Sequence, residues 1–249
     1  MGALYLIDMP EYVYIILLSL LAGSAMPIGA LLARLDVMHP AFLRQKSRQF
    51  MVAFGGGALI SAVALVLVPD GASKLSPLTA ALCFGAGGVF FYLLDMLLNQ
   101  LKSSAGQLVA MLSDFIPEAI ALGAAFAVGE STGLILALLM VLQNLPEGFN
   151  AYEELENSAK LAPNKILMAF ASLALAGPVS ALTGYFVLAE SHQFVAGLML
   201  FASAGILYLV FQDIAPESKA KNSGFPALGA VAGFMLGLVG NMLIIPAQV

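Results

Sequence analysis

The chain has 249 residues, of which 61% are hydrophobic and only 10% charged, with a mean hydropathy of +0.95 and a formal net charge of −5. A soluble domain of this length could not cover itself with polar groups at that composition, so the chain reads as an integral membrane protein. Its apolar runs are too long and too uniform for outer-membrane strands, which leaves helices; the single Cys83 excludes a disulfide framework within one chain, and nothing points to nucleic acid.

Eight transmembrane helices are predicted, at about 12–33, 49–69, 77–98, 106–128, 132–152, 165–188, 193–213 and 225–246, each near the 20 residues that a bilayer core requires. The connections are short, so residues 1–249 are expected to form a single transmembrane domain. Ahead of the first span lie Asp8 and Glu11 and no basic cluster, which does not resemble a cleavable signal. Arg34, Arg44, Lys46 and Arg48 follow span one, Lys102 follows span three, Lys160 and Lys165 follow span five, and Lys219 and Lys221 follow span seven. The alternate connections hold only Lys74. By the positive-inside rule the odd-numbered connections face the cytoplasm and both termini are extracytoplasmic, as in a multi-pass protein of the cell (inner or plasma) membrane.

Spans one to three resemble spans six to eight. Pro27-Ile28-Gly29-Ala30-Leu31 in span one is echoed by Pro178-Val179-Ser180-Ala181-Leu182 in span six. Phe54 to Pro69-Asp70 in span two has the spacing of Phe201 to Pro216-Glu217 in span seven. Asp95-Met96-Leu97-Leu98 closes span three as Asn241-Met242-Leu243-Ile244 closes span eight. The charge rule makes the paired spans cross in opposite directions. The expected fold is therefore an all-α membrane protein in a 3+2+3 arrangement, with an inverted repeat of helices 1–3 and 6–8, a pattern found in transporters. Gly55-Gly56-Gly57-Ala58 and Gly85-Ala86-Gly87-Gly88 supply small surfaces for close helix packing.

Spans four and five stand between the repeats and carry two versions of one motif, Asp114-Phe115-Ile116-Pro117-Glu118-Ala119 and Gln143-Asn144-Leu145-Pro146-Glu147-Gly148. A proline inside a helix has no N–H to donate, so the carbonyls of Ser113 and Leu142 are left without their helical partner. Asp114 and Glu118, like Gln143 and Glu147, are four apart and share a helix face. Packed together, the two spans would gather three carboxylates and an amide, the oxygen ligands that hard divalent cations prefer. At mid-membrane depth each acid costs roughly 2.5–3.5 kcal/mol, and no lysine or arginine within the spans offsets it. That leaves protonated acids or a bound cation. The polar face of span five continues through Asn150 and Glu154 as an exit path. Glu153, Glu154 and Glu156 read equally well as a solvated helix end. On span four Gln107 lies on the cytoplasmic side, while Ala121, Leu122 and Ala125 make an apolar plug on the other, so an inward-open resting state is expected. His39 and His192 read as surface residues, and Asp95 and Asp213 as interfacial ones.

These features resemble the ZIP family of divalent metal transporters. That family has eight spans, external termini and motifs of the type His-Asn-x-Pro-Glu-Gly on spans four and five that form the metal site. Gln143 to Gly148 matches the fifth-span motif and Asp114 to Ala119 the fourth more loosely; the likeness extends over the whole chain. Asp114 and Gln143 stand where the family usually has histidine, Phe115 replaces a polar residue, and Gly177, before Pro178, stands where some members carry an acid for a second metal. The resemblance thus implies one site made by Asp114, Glu118, Gln143 and Glu147, with Asn144 a candidate further ligand, and a homodimer. Without imidazoles the site should favour zinc less, and manganese or ferrous iron more, than relatives that have them. The expected function is transport of a transition-metal ion of the Mn/Fe/Zn/Cd class towards the cytoplasm by alternating access, with the ion as substrate and no cofactor or enzymatic activity. The alternative is a non-transporting metal sensor or scaffold on the same fold. An intramembrane protease would need a second central aspartate or a mid-membrane histidine, and the chain has neither.

Overall fold

A computed structural model describes residues 9–36, 41–101, 104–128, 130–159, 161–188, 190–220 and 224–244. His39, Lys102, Lys160 and Lys221 lie outside them, as does the side chain of Gln107. The described residues contain no β-strand and form eight helical rods. These are α1 (Glu11–Asp36), α2 (Ala41–Ala62, Val63–Leu67 and Val68–Ser73 in one run), α3 (Pro77–Leu101) and α4 (Ser104–Val128). They continue with α5 (Glu130–Ala159), α6 (Pro163–Ala174, then Ala176–Thr183 and Gly184–Leu188), α7 (His192–Leu209, Val210–Ile214 and Ala215–Ser218) and α8 (Phe225–Ile244). Seven of the rods, all but α4, contain stretches long and apolar enough to cross a bilayer, at Glu11–Leu35, Arg48–Ser73, Pro77–Leu98, Thr132–Glu156, Pro163–Leu188, His192–Ser218 and Phe225–Ile244. The chain is a multi-pass membrane protein. The fourth expected span, 106–128, coincides with α4, a 25-residue helix that carries Asp114 and Glu118.

The rods form an inner and an outer layer. In α2 67% of the most apolar window is buried within the protein, against 11% in α3 and 22% in α8. The continuous apolar core draws its buried residues from α1, α2, α4, α5, α6 and α7. On α3 and α8 large side chains such as Leu82, Phe90, Leu93, Val231, Leu236 and Leu243 point outwards, as suits helices whose solvent is hydrocarbon.

The prolines shape the rods in two ways. Pro27, Pro117 and Pro146 are carried inside continuous helix. Pro69 and Pro216 are each preceded by a five-residue π-helical turn, Val63–Leu67 and Val210–Ile214, closed by the N–H of Val68 on the carbonyl of Val63 and that of Ala215 on Val210. Widening the turn by one residue changes which carbonyl the proline deprives of a donor. Both π turns sit at the same distance from their prolines, at the spacing that relates Phe54 to Phe201. In α6 the helix instead breaks at Leu175, three residues before Pro178.

Contacts between rods follow one pattern. α1 packs on α5 and α6 on α4; α2 packs on α8 and α7 on α3; α2 also meets α5, and α7 meets α4. Exchanging rods one to three with six to eight, and four with five, maps this set onto itself. α1 and α6 run antiparallel: Tyr185 at the end of α6 donates to Glu11 at the start of α1 (2.7 Å), and Arg34 near the end of α1 donates to Asn164 at the start of α6 (3.1 Å). α2 and α7 are antiparallel too, with Arg48 near Glu217 at one end and Gly71 against Ala196 and Leu200 at the other. Glycine makes the closest crossings possible. A methyl group on Gly233 of α8 would overlap the carbonyl of Phe54 on α2, and one on Gly87 of α3 would overlap the carbonyl of Phe201 on α7. Each group of three thus lays its third helix on the second helix of the other group.

Candidate metal site

The centre of the molecule is the crossing of α4 and α5, clasped by α1 and α6. Gly29 of α1 and Gly148 of α5 face backbone on the opposite helix, at Leu145 and Met26 respectively, and Gly123 of α4 and Gly184 of α6 do the same at Ala181 and Ile120. Gly55 of α2 lets the ring of Pro146 come within 2.7 Å of where a Cβ would stand. The two proline motifs are therefore held from several sides at backbone distance.

Of the expected ligands, Asp114, Glu118, Gln143 and Asn144 are all buried, and Glu147 is half-buried. The Gln143 amide donates from Nε2 to Oε2 of Glu118, a bond that joins α5 to α4. Asp114 and Glu147 lie within electrostatic reach of Glu118 and of each other. Asp114 Oδ1 and Gln143 Oε1 are buried without a hydrogen-bond partner. An acceptor left in that state costs about 1–3 kcal/mol, so this region calls for a proton or a cation. Among the described residues no three His, Cys, Asp or Glu side chains are drawn together as a ligand group. The carboxylates share a region without forming a coordination sphere.

Asn144 behaves differently from the other expected ligands. Its amide donates to the carbonyl of Ala22 on α1 at 2.9 Å, which commits its nitrogen to helix packing. Phe115, the residue that replaces a polar one in the motif, is 1% exposed. The tip of its ring lies 2.8 Å from where a Cβ on Gly177 would stand and 3.0 Å from the equivalent point on Gly23. An acid at position 177 would therefore collide with this ring, and the ring fills the place where one would reach.

On one side of the site Ala121, Leu122 and Ala125 are buried in the apolar core, as a plug requires. On the other side α5 does not end near residue 152 but continues to Ala159. Glu154 is exposed, but Glu153 is 3% exposed and paired with Arg48, and Glu156 accepts a bond from the Tyr152 hydroxyl at 3.3 Å. The reading of all three acids as a solvated helix end fails at Glu153, which is buried against Arg48 of α2. Asn150, expected on an open path, is bonded to Arg48 and Glu217. Asp95 on α3 accepts from Tyr208 of α7 at 2.9 Å, while His192 is exposed and borders a small cavity of about 30 Å³ with Asp70, Lys74 and Thr132. Sequence reasoning missed the contacts of Arg48; its place at the head of an apolar run was the one signal.

No family model and no curated protein matches this sequence.

Proposed function

We propose that this chain is a divalent metal transporter of the ZIP type, carrying a transition-metal ion of the Mn/Fe/Zn/Cd class towards the cytoplasm through one carboxylate-rich site between α4 and α5. The observation that carries this reading is the Glu118–Gln143 bond between two proline-bearing helices, flanked by the unpartnered buried oxygens of Asp114 and Gln143. Buried acids without a basic partner inside a membrane mark an ion pathway by default. For an ion to bind, Gln143 would release Glu118 and turn its free carbonyl oxygen inwards, while Asp114, Glu118 and Glu147 close around the charge. Carboxylate and amide oxygens suit manganese and ferrous iron and accept zinc. Phe115 packed against Gly177 supports a single site, and Asn144 is the weakest of the five candidates because it serves α1.

The antiparallel pairs α1/α6 and α2/α7 and the exchange symmetry of the helix contacts support an inverted repeat, in which one group of helices rocks against the other around the site. With α4 counted as the eighth span, the distribution of basic residues supports both termini lying outside the cytoplasm. Glu154 and, once freed, Asn150 would line the exit. A sensor that holds the ion without moving it is the rival, favoured by closure on both sides of the site, with the plug at Leu122 and the bonded Asn150. Elemental analysis of the purified protein, together with uptake into proteoliposomes under competition among manganese, iron, zinc and cadmium, decides between them. Flux saturable by one of these ions supports the transporter; tight binding without flux supports the sensor; neither binding nor flux overturns both.

A further inference from the structure

Arg48 lies where α2 enters the apolar layer, at the end of the molecule where Arg34, Lys165 and Lys219 also gather. Its Nε donates to Asn150 Oδ1 at 3.0 Å and lies 3.2 Å from Oε2 of Glu153. The far end of the guanidinium is paired with Oε1 of Glu217, and the other oxygen of that carboxylate accepts from Asn150 Nδ2 at 2.7 Å. Arg48, Asn150 and Glu217, from α2, α5 and α7, thus close a ring, and Glu153 of α5 holds the guanidinium from one side. Beside it Gln49 donates to the carbonyl of Lys219 at 3.1 Å, fastening α2 to the chain just beyond α7.

The ring sits across the polar face of α5. Asn150 follows Glu147 by three residues, which is about 4.5 Å along the helix axis. An ion leaving Glu147 by that face would meet an amide whose donor and acceptor are both engaged, and then the Arg48 guanidinium. Because Glu153 and Glu217 offset its charge, the guanidinium obstructs the path as a bonded side chain, and passage requires its contacts to part. Glu217 belongs to the short last turn of α7, beyond the π turn Val210–Ile214, and π turns are local irregularities at which helices bend.

We propose that the Arg48–Asn150–Glu217 ring, with Glu153 against its guanidinium, is the gate at the basic end of the path, shut in this structure, and that it opens when Arg48 parts from Glu217. The proposal rests on the transport reading for its purpose, but the closure itself is measurable without transport. Arg48 thereby acts as a moving plug, and Glu153 holds it in place when shut.

The test uses the full chain with Cys83→Ser and Glu147→Cys, probed by a membrane-impermeant thiol reagent applied from the basic side. Breaking a charge-assisted contact should raise the labelling rate at position 147 at least about tenfold in Arg48→Gln, and in Glu217→Gln, which opens the ring from its other side. Arg48→Lys, which keeps the charge, should stay near the parent rate. Equal rates in parent and both glutamine variants would overturn the gate. In a second arm, Arg48→Cys with Glu217→Cys in the Cys83→Ser background is oxidised to a disulfide. Metal uptake into proteoliposomes should fall at least about tenfold and return on reduction, given that charge-assisted contacts of this strength govern opening. Undiminished uptake with the cross-link formed would overturn the gate. A Cys83→Ser protein with Glu147 intact that carries no metal, alongside labelling at position 147 that rises in the glutamine variants, would sink the transport reading and leave the gate standing.

Discussion

Glu118 and Glu153 are both almost excluded from solvent, and both lie at the junction of α5 with a neighbouring helix, yet their surroundings are opposite. Glu153 has an arginine at 3.2 Å, and the ring around that arginine uses both ends of the guanidinium and both oxygens of Glu217. Glu118 has a neutral amide, two further acids within electrostatic reach, and unpartnered oxygens on Asp114 and Gln143 close by. The chain can evidently bring a guanidinium to a buried acid on α5. At the centre it does not, and a fixed cation there would compete with a mobile one. Neutralisation is supplied by the chain itself in the first place and left to a proton or an ion in the second.

The contrast breaks most sharply under alanine substitution of the acids. Glu118→Ala or Glu147→Ala should lower metal uptake by at least about 100-fold, the upper range for loss of support at a metal site, with little change in the thermal unfolding temperature of the detergent-solubilised protein. Uptake retained in both variants would remove the site. Arg48→Ala, by contrast, strands Glu153 and should cost about 2 kcal/mol of stability, moderated because a third of the Arg48 side chain meets solvent. Adding Glu153→Ala to Arg48→Ala should restore part of that loss in the same melting experiment, since the stranded charge is gone. Gln143→His sharpens the comparison from the centre: an imidazole should shift the zinc-to-manganese uptake ratio towards zinc by about tenfold. The smallest effect is expected from Asn144→Ala. It removes the bond to Ala22 and should cost about 1 kcal/mol in unfolding while leaving metal affinity measured by calorimetry unchanged. A large loss of affinity with intact stability would instead make Asn144 a ligand.

Hydrophobic length was legible because the bilayer imposes it on each helix separately. The run expected at 77–98 is the apolar stretch Pro77–Leu98, and six of the others agree within a few residues at most ends, while 106–128 is helical without such a stretch. The pairing of the two proline motifs was legible for a similar reason: Glu118 and Gln143 are close in sequence and their helices are consecutive. What escaped was contact between distant segments. Arg48, Asn150, Glu153 and Glu217 come from three helices, and nothing local in any of them announces the others. Glu153 in particular looks like the polar end of a span, because the apolar pattern of α5 fades there while the helix continues. Phe115 looks like an ordinary apolar residue until the absence of a side chain at Gly177, 62 residues later, is seen to make room for its ring.

The reciprocal crossings of α8 on α2 and α3 on α7 also bear on how the chain is made. As synthesis proceeds from the amino end, α2 emerges long before the glycine of α8 that fits against Phe54, so the Gly57 surface of α2 must wait among acyl chains while about 150 further residues are threaded into the bilayer. Neither half can be completed first and then docked as a finished piece. The contact between α2 and α8 closes only when α8 arrives, which makes α8 a keystone of biogenesis as well as an outer wall.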